Sequence, residues 1–199
     1  MKIAVNKEFK NLIFPLTQQE KDILERSILK YGVKDKLVVW DNGRNVLVDG
    51  HHRWEIIQKH QIRKYEIQKL KFKHKSEVVN WIIENQMGRR NCTPGAISYL
   101  RGLRYKNEKG SHGGDRIATS GHSAHLKTSK RLATFYNVDE KTIRRDEKFY
   151  EAINSIEDAY PTPKTKAEIK NRILTGQISH SKRLAGDILS ARKANKRCY

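Results

Sequence analysis

Val46-Leu47-Val48-Asp49-Gly50-His51-His52-Arg53-Trp54 opens as a β-branched run and breaks at Asp49-Gly50. Trp54, Ile56, Ile57 and His60 then read as an amphipathic helix. A strand therefore feeds through a glycine turn straight into a helix N-terminus. Such a terminus presents free backbone N–H groups and the positive end of the helix dipole, so Gly50, the amides after it and Arg53 can hold a phosphate. A well-made turn with exposed polar residues fits the same spacing, and both readings stay open at this point.

Upstream, Lys36–Trp40 and Asn45–Val48 are short β-branched runs joined by Asp41-Asn42-Gly43-Arg44, whose Asn-Gly predicts a hairpin. Before them, Thr17 and Glu20 make a capping box for a helix to about Lys30, with Ile23, Leu24, Ile28 and Leu29 at helical spacing and Gly32 at its end. Downstream, Tyr65–Phe72 alternates as a strand. Ser76 and Glu77 start a helix that turns Val78, Val79, Trp81, Ile82 and Ile83 inward. Thr93 caps, and Pro94 begins, a helix to about Tyr105. Residues 107–127 lose apolar periodicity and read as a linker. Beyond it the pattern is helical: two helices over 128–159, a break at Tyr160-Pro161-Thr162-Pro163, and two short helices over 164–195 separated by Gly176.

The chain has 199 residues, 41 Lys plus Arg and 22 Asp plus Glu, a formal charge of +19. The length fits one or two domains, and 37% hydrophobic residues supply a core, which excludes a wholly disordered chain. No apolar run approaches the roughly 18 residues of a membrane span, and Met1–Glu8 carries charges where a signal peptide is apolar. A cytoplasmic protein with no membrane partner is expected. Cys92 and Cys198 have no C-x-x-C spacing, and His112, His122 and His125 no regular ligand spacing, so no metal is assigned. The positive charge is spread over the whole chain, which suggests a polyanionic partner, most often nucleic acid.

Thr128 to Glu147 has the spacing of a helix-turn-helix. Ala133 is small where helices cross, Asn137 tolerates the left-handed turn, Leu132, Val138 and Ile143 form a small core, and Asp139 caps the second helix. That helix presents Glu140, Lys141, Thr142, Arg144, Arg145 and Lys148 towards a major groove, while Lys127, Thr128 and Ser129 meet a phosphate at the start of the first. An ordinary helical hairpin with a solvated charged face is the plainer reading; the small residue, turn residue, cap and basic second helix together favour DNA.

Taken in order, residues 46–54, then Glu84-Asn85-Gln86-Met87-Gly88-Arg89-Arg90-Asn91-Cys92-Thr93-Pro94, then the helix-turn-helix resemble the ParB family of partition proteins. The likeness is to the short ParB-like proteins of plasmids and other mobile elements, and it runs from about Phe9 to Ile156. Leu174-Thr175-Gly176-Gln177-Ile178-Ser179 resembles the segment that follows the helix-turn-helix in those proteins. The resemblance implies an α+β architecture. A small mixed α/β ParB/sulfiredoxin-like domain spans 1–106, a linker 107–127, and an all-α DNA-binding domain 128–199, with the helix-turn-helix at 128–153.

It further implies that a Gly-x-x-Arg turn, Gly50 and Arg53 with Asp49, His51 and His52 around them, cradles nucleotide phosphates. A Glu-Asn-x-x-Arg segment helps with the phosphates and magnesium; it maps onto Glu84, Asn85 and, one residue displaced, Arg89, beside Arg90. The implied cofactor is a nucleoside triphosphate, CTP or ATP, with magnesium. The family motif has an acidic and a basic residue where this chain has His51 and His52. Sulfiredoxins place their catalytic cysteine where His51 stands, so no reductase activity is expected.

The function expected is sequence-specific binding of double-stranded DNA in a plasmid, phage or other mobile element, for partition, replication control or transcription, at the bacterial nucleoid or plasmid. A homodimer suits a palindromic site, with Leu184, Ile188 and Leu189 as its candidate contact, and a partition or replication protein is a further candidate partner. The alternative is a metal-dependent nuclease or nucleoside triphosphate hydrolase (CTPase-like), since Asp49, His51, His52 and Glu84 are types that bind metals and activate water. No catalytic residue is assigned.

Overall fold

The computed structural model describes residues 3–88, 92–110, 127–159 and 171–177. They belong to two compact units, Met1–Gln86 and Met87–Tyr199.

In the first unit, Asn6 caps α1 (Lys7–Leu12) by accepting from the Glu8 amide at 2.8 Å. At six residues this helix is too short to show a periodicity. α2 (Gln18–Tyr31) starts at the expected capping box: the Glu20 amide donates to Thr17 Oγ1 (3.3 Å) and the Thr17 amide to Glu20 Oε2 (2.8 Å). Gly32, at φ +78°, ends it. β1 (Leu37–Trp40) and β2 (Val46–Asp49) form the expected antiparallel hairpin, with Gly43 and Asn45 at positive φ in its connection. α3 (His51–Lys59) follows at once.

β3 (Ile67–Leu70) then lies parallel to β1, giving the sheet order β2-β1-β3. It is shorter than the run 65–72 because Tyr65 leaves the strand to pack on the core, its ring edge-on to Trp54 at 5.9 Å. One face of the sheet closes on Leu37, Val39, Leu47 and Ile57. Fully burying aliphatic side chains of this kind contributes about 1.5–3 kcal/mol each. α4 (Lys75–Met87) buries Val78, Val79, Ile82 and Ile83; Trp81 stays half-buried, edge-on to Phe72.

In the second unit, α5 (Pro94–Gly110) is capped by Thr93, whose hydroxyl accepts from the Ala96 amide (3.1 Å) and donates to the Leu174 carbonyl (2.6 Å). It runs past Tyr105, so residues 107–110 are helical, not linker; 111–126 lie outside the described residues. It also belongs with the helical unit, whereas the sequence pattern places the end of the first domain at 106. The physical reason is Asp146 of α7 (Glu140–Ala159), which is buried and accepts from Ser98 Oγ and, at 2.6 Å, from Arg101 Nε of α5. Apolar periodicity alone cannot reveal such a pair. α6 (Thr128–Tyr136) packs on both. Residues 171–174 make a helical turn that buries Ile173 and Leu174 and stops at Gly176. The expected last helix with Leu184, Ile188 and Leu189 lies outside the described residues. Among the described helices, none is long and apolar enough to cross a membrane.

Candidate functional site

The β2–α3 turn is built by Gly50, the α3 N-cap, at φ +92° and ψ +22° with no side-chain cap on the helix. A Cβ at Gly50 would stand 2.7 Å from Leu37 Cδ2 and 3.0 Å from Arg53 Nη2. Only glycine fits, since it supplies the left-handed conformation and lets the guanidinium lie over the turn. Arg53 Nη2 donates to the Lys36 carbonyl (3.1 Å) and to Asp49 Oδ2 (3.2 Å). Asp35 is 3.9 Å from Nη1. Arg53 therefore ties the first turn of α3 to the sheet.

His51 is 3% exposed, and burial pushes its pKa down to about 4, so the ring is neutral at pH 7. His52 meets the Phe14 carbonyl through Nε2 at 3.1 Å; a carbonyl only accepts, so Nε2 carries the proton. Four buried nitrogens in three consecutive residues have no partner: Nδ1 and Nε2 of His51, Nδ1 of His52 and Nε of Arg53. Buried polar atoms left unpaired cost about 1–3 kcal/mol each. Arg53 Nε and one ring nitrogen of the neutral His51 are donors, whereas His52 Nδ1 is the unprotonated, accepting nitrogen of its ring; at an uncapped helix N-terminus the two donors suit an anion with several acceptor oxygens, as a phosphate is. Glu84 and Asn85 sit near the end of α4; Arg89 and Arg90 lie outside the described residues. Asp49 is taken by Arg53 and His52 by Phe14, and among the described residues no three His, Cys, Asp or Glu side chains gather to hold a metal. A phosphate fits this donor set better than a divalent ion does.

In the second unit, Asn137 adopts the left-handed conformation (φ +51°, ψ +50°) between α6 and α7. Leu132, Ala133 and Ile143 pack with Tyr105, Tyr136 and Val138. Asp139 caps α7 by accepting from the Lys141 amide at 2.7 Å. Lys141, Arg145 and Lys148 are exposed and, among the described residues, make no ion pair. At i, i+4 and i+7 they share one stripe of the helix, opposite the face that buries Ile143 and Asp146. Arg144 instead donates to Glu140 Oε1 at 2.5 Å.

Ser129, expected at a phosphate, is 3% exposed and donates to the same Glu140 oxygen at 2.7 Å, so its hydroxyl joins the two helices. Those hydrogen bonds, Ser129 first, hold the Glu140 carboxyl below its usual range. Lys127 is exposed at the start of α6, and Thr128 and Thr142 are half-buried.

No protein-family model and no curated protein matches the chain. Among solved structures, a Pnob8-like ParB-N domain matches with a TM-score of 0.54 at 14% identity, over 94% of each chain. The chain has a ParB-N fold. Two structures of C-terminally truncated ParB from Caulobacter crescentus align more loosely. One, complexed with CTP-γ-S, has a TM-score of 0.38 at 15% identity over 98% of this chain and 93% of that one. The other, complexed to the centromeric parS site, has 0.30 at 16% over 99% and 88%. Within the ParB-N fold, Asp49 and Arg53 are ion-paired across the Gly50 turn. Nothing in the residue pattern signals Asp146 with Ser98 and Arg101, or the Phe14 carbonyl on His52, because each joins residues far apart in the chain.

Proposed function

We propose that the chain is a ParB-type protein that binds duplex DNA through α7, in partition, replication control or transcription of a mobile element. The observation that carries this reading is the stripe Lys141–Arg145–Lys148: three exposed cations that, among the described residues, make no ion pair, on the second helix after a tight turn. Such a helix, entered through the left-handed Asn137 and braced by Leu132 and Ile143, suits the helix-turn-helix geometry that lays its second helix in a major groove. Lys127, exposed at the start of α6, and the first amides of that helix would meet a backbone phosphate.

The β2–α3 turn is the proposed nucleotide site. The amides that open α3, Arg53 Nε and the protonated ring nitrogen of His51, with His52 beside them, would hold a phosphate of a nucleoside triphosphate, CTP or ATP. Bound there, the phosphate would supply negative charge and acceptor oxygens to donors that otherwise lack them. Glu84 and Asn85, near the end of α4 in the same unit, are proposed to assist it with magnesium, as in the family's second motif.

Selection of a random duplex library with the full chain at near-physiological salt, with and without CTP or ATP and magnesium, tests both parts. Enrichment of a defined site that is lost in a Lys141→Gln/Arg145→Gln/Lys148→Gln variant is the expected result. Binding without enrichment removes sequence-specific reading by α7. A nucleotide effect on enrichment that vanishes in Arg53→Gln is expected for the turn, and indifference to nucleotide removes it.

A further inference from the structure

Residues 59–75, Lys-His-Gln-Ile-Arg-Lys-Tyr-Glu-Ile-Gln-Lys-Leu-Lys-Phe-Lys-His-Lys, hold seven Lys or Arg and a single carboxylate, Glu66. They follow α3, contain β3 and begin α4. Ion pairs take up a minority of this charge: Lys59 with Glu25 (2.7 Å), Lys75 with Glu8, and Glu66 itself with Lys36 (3.0 Å). Arg63, Lys64, Lys69, Lys71 and Lys73 are exposed and have no ion pair among the described residues. The carboxylate that follows, Glu77, accepts from the Lys73 amide at 2.9 Å, so it is held by backbone, and among the described residues it makes no ion pair with a lysine of the strip.

The sheet order makes β3 an edge strand, paired to β1 on one side. Lys69 on β3 and Lys71 and Lys73 just after it alternate with Leu70 and Phe72, which are half-buried; Phe72 meets Trp81 edge-on. The apolar members thus anchor the segment while the lysines stand in solvent. Lysines on a sheet edge also discourage strand pairing with another chain. That role needs one or two charges on a short strand, and it does not account for Arg63 and Lys64 before the strand or Lys71 and Lys73 after it.

The geometry points to this edge of the first unit as a second, sequence-independent binding surface for the DNA backbone, separate from α7. It rests on the proposed DNA function for its partner and on charge complementarity for its place. A duplex carries regularly spaced phosphates that neutralise such a strip and release counterions. An anionic membrane surface is the poorer match. Interfacial binding adds an inserted apolar side chain, and none of the large exposed hydrophobic residues, Val5, Ile23, Leu29, Tyr31 and Phe135, falls in residues 59–75.

The test is the salt dependence of binding to a random-sequence duplex by the full chain, by Lys69→Gln/Lys71→Gln/Lys73→Gln, and by the α7 variant Lys141→Gln/Arg145→Gln/Lys148→Gln, each with its melting curve. The strip variant is expected to melt like the parent. Its slope of log K against log salt should become shallower by about 2–3, at about 0.9 for each phosphate no longer neutralised, with any site preference kept. The α7 variant should lose site preference and retain salt-sensitive binding, which disappears when both sets are combined. An unchanged slope in the strip variant overturns the inference, as does stronger binding of the parent to anionic vesicles than to duplex. Loss of all binding in the α7 variant alone also overturns it while leaving the α7 reading in place. Parent protein that binds no duplex overturns the proposed function itself.

Discussion

Gly102 of α5 lies directly against the backbone of Asp146 on α7. A Cβ at Gly102 would fall 2.9 Å from the Glu147 amide nitrogen and nearer still to the Asp146 carbonyl. Backbone cannot swing aside as a side-chain tip does. The same close approach lets Ser98 and Arg101 reach the Asp146 carboxylate, 5% exposed at its side chain.

Gly102→Ala should therefore force α5 and α7 apart. Although alanine is the better helix former, overpacking against fixed backbone costs about 3 kcal/mol, which outweighs the gain of roughly 1 kcal/mol in helix propensity. For a unit of this size that lowers the melting midpoint by about 10 °C or more. All three tryptophans, Trp40, Trp54 and Trp81, belong to the first unit, so circular dichroism should report the loss more strongly than tryptophan emission. A variant that melts with the parent would mean the helices cross elsewhere.

What the sequence disclosed divides by range. The turn at Asn137, the cap at Asp139, the Thr17–Glu20 box and the β1–β2 hairpin are set by neighbours a few residues apart, and all four are as expected. The parallel pairing of β3 with β1, the burial of Ser129 and the buried Asp146 pair depend on residues 11 to 48 positions away. A Ser at a helix start reads as a phosphate ligand until Glu140 is seen to take its hydroxyl. Likewise, the motif at Asp49–Arg53 was visible, but that its arginine spans Asp49 and the Lys36 carbonyl was not.

His51 makes the first unit acid-labile. Its pKa is about 4 when folded, against about 6.5 for an unburied histidine, so between those values the unfolded chain binds the extra proton. Stability is then fully present above pH 6.5 and falls as pH drops towards 4, by about 3 kcal/mol in total from this one group. His51→Phe removes the titration. Melting curves from about pH 7 to about pH 4.5 should show the variant losing less stability than the parent, and parallel curves would show that His51 is solvated.

Glu140 separates two roles for α7. Its carboxylate accepts from Ser129 and from Arg144, so it neutralises a cation on the proposed DNA face. Glu140→Gln keeps an acceptor for Ser129, releases Arg144 and removes a charge that repels phosphate. Binding to random duplex should tighten, and the salt slope should steepen by about 0.9 for one more phosphate neutralised. A carboxylate that reads a cytosine amino group would behave differently: affinity for a selected site would fall while random duplex stayed unchanged. Side-by-side titrations on the two DNAs decide which holds.

Gly50 couples the turn to the core, and its coupling to Leu37 can be measured. Gly50→Ala places a methyl group 2.7 Å from Leu37 Cδ2 in a side chain that is fully buried, at a φ of +92° that L-residues rarely adopt. Strain and overpacking together should cost about 2–4 kcal/mol. Leu37→Ala alone leaves a cavity and costs about 2–5 kcal/mol. In the double variant the clash with Cδ2 is gone while the cavity is partly filled, so the total should fall short of the sum by about 1 kcal/mol or more. The residual cost belongs to the backbone angle and to Arg53, whose guanidinium the new methyl still crowds at 3.0 Å. Strict additivity in denaturant titrations would mean Leu37 yields freely, leaving the left-handed backbone and Arg53 as the reasons for glycine at this turn.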